Sequence, residues 1–179
     1  MFITSDTHFD HTNIIRYAKR PYKDVEEMNE ALIRNWNAKV GPNDLIYHLG
    51  DFCFSNRGKY FLSRLNGKKH LILGNHDKQV HIANGWESIQ HYDEVYCHVA
   101  GKKQMFVLCH YAMRVWNKSH YGSWMLYGHS HGSLPDDKTL LSFDVGVDCH
   151  KYMPLHVDEI ERIMRKKNNQ PVDHHGRKD

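Results

Sequence analysis

The stretch Leu45-Ile46-Tyr47-His48-Leu49-Gly50-Asp51 decides how the rest of the chain is read. It opens as an apolar run of strand length, Gly50 breaks it, and a carboxylate, Asp51, follows at once, ahead of an irregular passage to about Ser55. A short apolar run bounded by a turn signal fits a strand, and the glycine fits the turn out of it. The acid therefore stands at the carboxyl end of a strand, where layered α/β folds gather their ligands.

The same order recurs outward in both directions. Met1 to Thr4, without surface alternation and so suited to a central strand, runs into Ser5-Asp6-Thr7-His8. His70 to Leu73 ends at Gly74-Asn75-His76-Asp77, Met105 to Cys109 at His110, and Trp124 to Tyr127 at Gly128-His129-Ser130-His131. Between these runs, Asp24 and Glu27 have capping-box spacing. Met28, Ala31, Leu32 and Trp36 then recur at helical intervals until Gly41-Pro42, which predicts an amphipathic helix over 25–39. A helix over 57–65, a hairpin over 94–109 turning at Gly101-Lys102-Lys103, a strand over 140–147 and a basic-ended helix over 158–167 complete the reading. With no repeat of fixed period, the chain reads as one α/β domain over 1–167 and a polar, frayed tail over 168–179.

Composition narrows the function classes. A length of 179 residues fits a single domain, and 40% apolar with 25% charged residues excludes a disordered or fibrous chain. No run approaches the roughly 18–20 apolar residues of a membrane span, and the amino terminus lacks the features of a signal peptide, so a cytoplasmic protein is expected. A net charge of +3 is too small to indicate a stable nucleic-acid complex or a membrane surface, and no oligomeric state is assigned. Cys53, Cys97, Cys109 and Cys149 form no CxxC pair, so buried free thiols are expected instead of disulfides or a thiolate zinc site. The anomaly is sixteen histidines, the residue used most often as a metal ligand and as an acid or base near neutral pH.

Taken singly, each polar residue after a strand has an ordinary explanation: Asp6 or Asp51 can cap a helix, and a lone histidine is usually structural. Jointly, the forms DxH, GD, GNHD, H and GHxH after separate strands require a common cause. Carboxylate, imidazole and amide oxygen without thiolate suit borderline divalent metals such as Mn, Fe, Ni, Co or Zn. Two such ions need about this many ligands, and Asp51, alone after its strand, is the natural bridge.

Asp6-x-His8, Gly50-Asp51, Gly74-Asn75-His76-Asp77, His110 and Gly128-His129-x-His131, in that order, resemble the calcineurin-like metallophosphoesterases over residues 1 to about 165. The resemblance implies a four-layer α/β/β/α sandwich with a dinuclear site at the strand ends. It gives one metal Asp6, His8, Asp51 and His131, and the other Asp51, Asn75, His110 and His129. His76 then faces the substrate as general acid, oriented by Asp77. Two cations about 3.5–4 Å apart lower the pKa of a bridging water and clamp the attacking and leaving oxygens of an in-line displacement. The activity implied is hydrolysis of a phosphodiester, or less favourably a phosphomonoester.

Phe52-Cys53-Phe54-Ser55 after the second motif departs from the protein serine/threonine phosphatases, which disfavours protein substrates, and the chain lacks the extra domains of nuclease members. His11, Arg16, Arg20 and Arg114 are candidates for a substrate phosphate. Phe52, Phe54, Tyr111 and Trp116 are candidates for stacking on a nucleobase, which would make the substrate nucleotide-like. His48 reads as core; Arg162 to Lys167 reads as a helix end; His174 and His175 lie in the tail. The alternative function is a non-catalytic, metal-stabilised interaction module on the same fold. The presence of His76 and of every motif ligand favours an enzyme.

Overall fold

A computed structural model of the chain describes residues 1–78 and 84–172. Two sheets form the frame. The first runs β4 (Ser88–Gln90), β3 (Lys68–Ile72), β2 (Leu45–His48), β1 (Phe2–Thr4), β9 (Leu155–His156); the second runs β5 (Tyr92–Val99), β6 (Lys102–Cys109), β7 (Trp124–Tyr127), β8 (Ser142–Asp144). Within the first sheet β1 to β4 are parallel and only β9 runs against them, so the carboxyl ends of β1, β2 and β3 share one edge. In the second sheet β6, β7 and β8 are parallel, which brings His110 and the 128–131 loop out together. The all-buried β1 is internal, as its uninterrupted apolar character predicts.

Helix α2 (Val25–Lys39) has the bounds its periodicity predicts. The Asp24 carboxylate accepts the Glu27 N–H at 2.8 Å, and Met28, Leu32 and Trp36 form its buried stripe. Together with α3 (Gly58–Arg64), these residues pack Trp36 and Phe61 against Phe2, Ile46 and Leu71 of the first sheet. A second core joins the sheets, with Ile3, Tyr47 and Ile72 meeting Phe106, Leu108 and Leu126, and with Ile160 and Met164 of α4 (Val157–Met164) completing it. The outer face of the second sheet is covered by the loop residues Met113, Trp116 and Leu140. The α/β architecture therefore stands, with loop residues packed on that face and α4 placing its apolar stripe in the core joining the sheets.

Several elements differ from expectation. The hairpin turns at Ala100-Gly101, φ 48° and 78°, a pair of positive φ values that matches the twist of the strands it joins. The strand expected over 140–147 shortens to β8, and α1 (Thr12–Tyr17), β4 and β9 have too few residues to show a period. Cys149 is exposed and Cys97 half-buried, where burial was expected, and all four cysteines are free. Asn168 and Gln170 donate backbone N–H groups to the Lys138 and Thr139 carbonyls at 2.8 and 2.7 Å. Residues 173–179, with His174 and His175, lie outside the described residues.

Candidate metal centre

The loops after β1, β2 and β7 have a backbone that is turned over on itself. Asp6, His8, Asp51, His129 and His131 have φ of 58°, 50°, 58°, 68° and 48°, all left-handed. A non-glycine residue held there costs on the order of 1–3 kcal/mol, and such strain persists where surrounding structure enforces it, commonly at functional sites. The enforcement is visible: Asp6 N–H donates to Gly50 C=O at 3.0 Å and His8 N–H to Asp51 C=O at 2.9 Å, so the first two loops form a continued ladder. Gly74 lets the third loop touch them, since a Cβ there would lie 2.6 Å from the Asp51 nitrogen.

Asp6, His8 and His131 converge as one group of ligand atoms, all within 4.8 Å of one another, and Asp51, His110 and His129 as a second. Asp51 Oδ2 lies between them, 3.5 Å from His8 Nε2 and 3.6 Å from His110 Nε2. Asn75 Oδ1 stands 3.1 Å from His110 Nε2 and so joins the second group. Hydrogen bonds orient the rings from behind: His110 Nδ1 meets Leu49 C=O at 2.7 Å, and His131 Nδ1 meets Asp148 Oδ2 at 2.7 Å. The second oxygen of Asp6 accepts the His129 N–H at 2.9 Å, tying the two groups together.

The donor set fits cations. Asp6 Oδ1 and both ring nitrogens of His8 are buried without any hydrogen-bond partner, an expensive arrangement unless something else binds them. Ligands on bonds of about 2.1 Å sit ~3–4 Å apart around one ion, and Asp6 Oδ1 lies 3.9 Å from His8 Nε2 and 4.0 Å from His131 Nε2. Burial pushes the Asp6 carboxyl up to about 8, against the pull of His131 and aided by Asp51, as in a carboxylate cluster that a cation neutralises. Burial, with the neighbouring His131 and Arg20, holds His8 well below its usual range, in the neutral form that donates a lone pair. At His131 burial pulls downward, but the Asp148 hydrogen bond and the Asp6 charge outweigh it and raise the pKa.

An open cleft of about 520 Å³ lies over both groups, lined by His8, His11, Asp51, Phe54, His76 and Tyr17 among others. His76 is thus at the cleft, with its ring centroid 5.5 Å from that of His8. The Asp77 carboxylate accepts the N–H groups of Asp51, Phe52 and Gly74 at 2.7–2.9 Å, and these three backbone donors make it a clamp of the Asp51 loop.

Of the residues expected to touch substrate phosphate, His11 lines the cleft, its ring stacked on Phe54 at 4.0 Å. Arg20 does not reach it. It is 4% exposed, its guanidinium clamps both oxygens of Asp148 at 2.8 Å, and it donates to the Asp6 and Thr7 carbonyls at 2.7 and 2.9 Å. The planar fork of arginine suits this bidentate, buried task. Arg114 is exposed and, among the described residues, makes no hydrogen bond or ion pair. Phe52 and Trp116 are core residues, the latter donating Nε1–H to the Ser123 hydroxyl at 3.0 Å, so of the four aromatics only Phe54 and Tyr111 are exposed. His48 is core as expected, bonded to the Thr7 hydroxyl at 3.0 Å, with burial pushing its pKa down to about 3.

The residue that sequence reasoning missed is Asp148, which orients His131 and joins it to Arg20. A signal was present: it follows the stretch 140–147 that reads as a strand, as Asp51 follows its own.

The model of the family described as calcineurin-like phosphoesterase matches residues 1–177. An uncharacterized protein of Methanocaldococcus jannaschii is 33% identical over 175 residues, 93% of this chain and 92% of that one. The gene 66 protein of Mycobacterium phage L5 is 36% identical over 81 residues, 42% of this chain and 39% of that protein. A crystal structure of a protein of unknown function from Aquifex aeolicus superposes with a TM-score of 0.68 at 23% identity, covering 91% of this chain and 98% of that one, a likeness of fold. Loops, ligand groups and family match agree, and the chain belongs to the calcineurin-like phosphoesterase family.

Proposed function

We propose that the protein is a dinuclear metal-dependent phosphodiesterase. The observation that carries the reading is Asp51 Oδ2, placed 3.5 Å from His8 and 3.6 Å from His110 and so able to serve both ligand groups at once. Asp6, His8, Asp51 and His131 hold one cation, and Asp51, Asn75, His110 and His129 the other. When bound, the pair supplies Lewis acidity toward the phosphoryl oxygens and a water acidic enough to attack near neutral pH.

The chain's own groups do the rest. His76, at the cleft, gives a proton from a ring nitrogen to the departing ester oxygen. One water is consumed: a new P–O bond forms, the ester P–O bond breaks, and alcohol and monoester result. Among the described residues lining the cleft above the two groups, Asp51 is the one carboxylate and none is an arginine or lysine. That lining favours a monoanionic diester over a dianionic monoester, which would need more countercharge.

Four free cysteines support a reducing, cytoplasmic setting. No helix among the described residues is long and apolar enough to cross a membrane.

The test is hydrolysis of bis-p-nitrophenyl phosphate against p-nitrophenyl phosphate by metal-stripped protein reloaded with Mn. Turnover of the diester ahead of the monoester is expected. No turnover with Mn, Fe, Ni, Co or Zn would replace the enzyme reading with a metal-stabilised interaction module.

A further inference from the structure

One edge of the second sheet is β5, which pairs with β6 on one side and, among the described residues, with no strand on the other. The two-residue turn Ala100-Gly101 makes Val99 and Lys102 a hydrogen-bonded pair, and alternation along the antiparallel ladder then commits Cys97, Val95 and Asp93 to β6. Glu94, Tyr96 and His98 are left with N–H and C=O groups pointing off the sheet. The Asp93 carboxylate accepts the Glu94 N–H at 2.8 Å, as suits an outward-facing donor. Among the described residues the Tyr96 N–H and C=O, the His98 N–H and the Glu94 C=O have no partner. Natural edge strands are usually short, bulged or covered, whereas β5 runs eight residues in unbroken register with β6.

The outer face of this edge carries both signs of charge. Glu94 stands toward its amino end, bonded to the Tyr92 hydroxyl and, at 2.9 Å, to Asn117 Nδ2. Beyond it, Lys103 leans from β6 across β5 and sets its ammonium 4.5 Å from the Tyr96 ring centroid, while Lys118 donates to the Tyr96 hydroxyl at 3.2 Å. Neither ammonium is in an ion pair among the described residues, and Tyr96 is 49% exposed. His98, also exposed, is the strand partner of Lys103. An edge with a carboxylate toward one end and cations toward the other is complementary to itself when turned end for end.

We propose that a second copy of this chain pairs with this edge, β5 against β5, antiparallel about a two-fold axis at Tyr96. Each Tyr96 then exchanges N–H···O=C bonds with the Tyr96 of the other copy, and each His98 N–H meets the Glu94 C=O opposite, so the Asp93 cap on the Glu94 N–H stays in place. On the outer face each Glu94 carboxylate comes beside the His98 ring and the Lys103 ammonium of the other copy. An axis at Val95 would instead set the Tyr96 C=O against the Glu94 N–H that Asp93 already holds. The axis stands normal to the sheet and reverses β6, so His110, which follows β6, leaves from opposite ends of the joined sheet in the two copies. The pairing is independent of the chemistry proposed for the metal centre.

The test is sedimentation velocity of the full chain over a range of micromolar concentrations, for wild type, Glu94→Lys, Lys103→Glu and the double variant. Wild type sediments as a dimer that dissociates on dilution. Either single reversal sets like charges against each other at two symmetric places and weakens the dimer about tenfold or more. The double variant recovers most of that loss, which a damaged fold would not. Tyr96→Cys brings two thiols onto residues about 5.5 Å apart at Cα, the spacing of a hydrogen-bonded pair, and cross-links the dimer on mild oxidation. Glu94→Cys, two residues from the axis, does not cross-link. A monomer at every concentration would overturn the proposal, and so would a dimer that the charge reversals leave unweakened. A double variant no tighter than the single ones, or a Tyr96→Cys dimer that fails to cross-link, would overturn it as well.

Discussion

The two ligand groups use the same chemistry in different surroundings. In the first, Asp6 and His8 are sealed from solvent, and His131 is held from behind by Asp148, itself clamped by the Arg20 guanidinium. In the second, Asp51 and His110 are buried, but His129 and Asn75 are exposed, and the ring of His110 is oriented by the neutral Leu49 carbonyl. An anion hydrogen-bonded behind an imidazole raises its basicity and fixes its tautomer more firmly than a carbonyl does. On the proposed reading the first group retains its cation, and the second meets solvent and substrate. The difference teaches that ligand identity sets which ions bind, while the layer behind the ligands sets how firmly.

The largest effect should come from erasing the feature the groups share. Asp51→Asn removes the charge between them; elemental analysis should show metal content falling from two per chain to below one, with diester turnover reduced about a thousandfold. Two retained ions would show that the groups are independent. Asp148→Asn attacks only the first group, and its ion should bind about 10–100-fold more weakly in a chelator competition, with the second unaffected. Equal weakening of both would break the asymmetry.

A pH experiment sharpens the account of what lies beneath the first loop. His48, bonded to Thr7 between Asp6 and His8, has its pKa depressed to about 3 by burial, with His110 contributing. The unfolded chain takes up a proton near the usual 6.5 that the folded chain refuses until about 3. Stability is consequently lost as pH falls through that window, at about 1.4 kcal/mol per pH unit. His48→Gln, which keeps a hydrogen-bonding group for Thr7 but does not titrate, should reduce the loss between pH 7 and pH 5 by roughly 2 kcal/mol in urea unfolding. An unchanged loss would assign the acid sensitivity to other groups. The smallest effect belongs to Arg114→Ala, expected within about 0.5 kcal/mol of wild type by thermal unfolding.

The clustering of the candidate residues was legible because each part of the pattern is local. A strand followed at once by Asp, His or Asn is a pattern of a few residues, and five copies of it named the seven ligand candidates and His76. Helix α2 was legible for the same reason, since its cap and stripe lie within one segment. Helix α1 was not: it spans six residues, its His11 cap makes no side-chain hydrogen bond, and its first turn has no acid. That Asp77 clamps the Asp51 loop was not legible, because the backbone N–H groups it satisfies belong largely to another loop.

What the sequence determined by itself was the candidate ligand residues, the strand-end motifs that carry them and the unusual position of Asp51, because periodicity and turn residues act over a few positions of backbone. What only the tertiary structure decided was the layer behind the ligands. Arg20 and Asp148 are 128 residues apart and have no shared local pattern. Their pairing exists because two buried charges must find each other when the sheets close, and that closure turned an arginine expected at the substrate into the anchor of His131 and of the Asp6 loop.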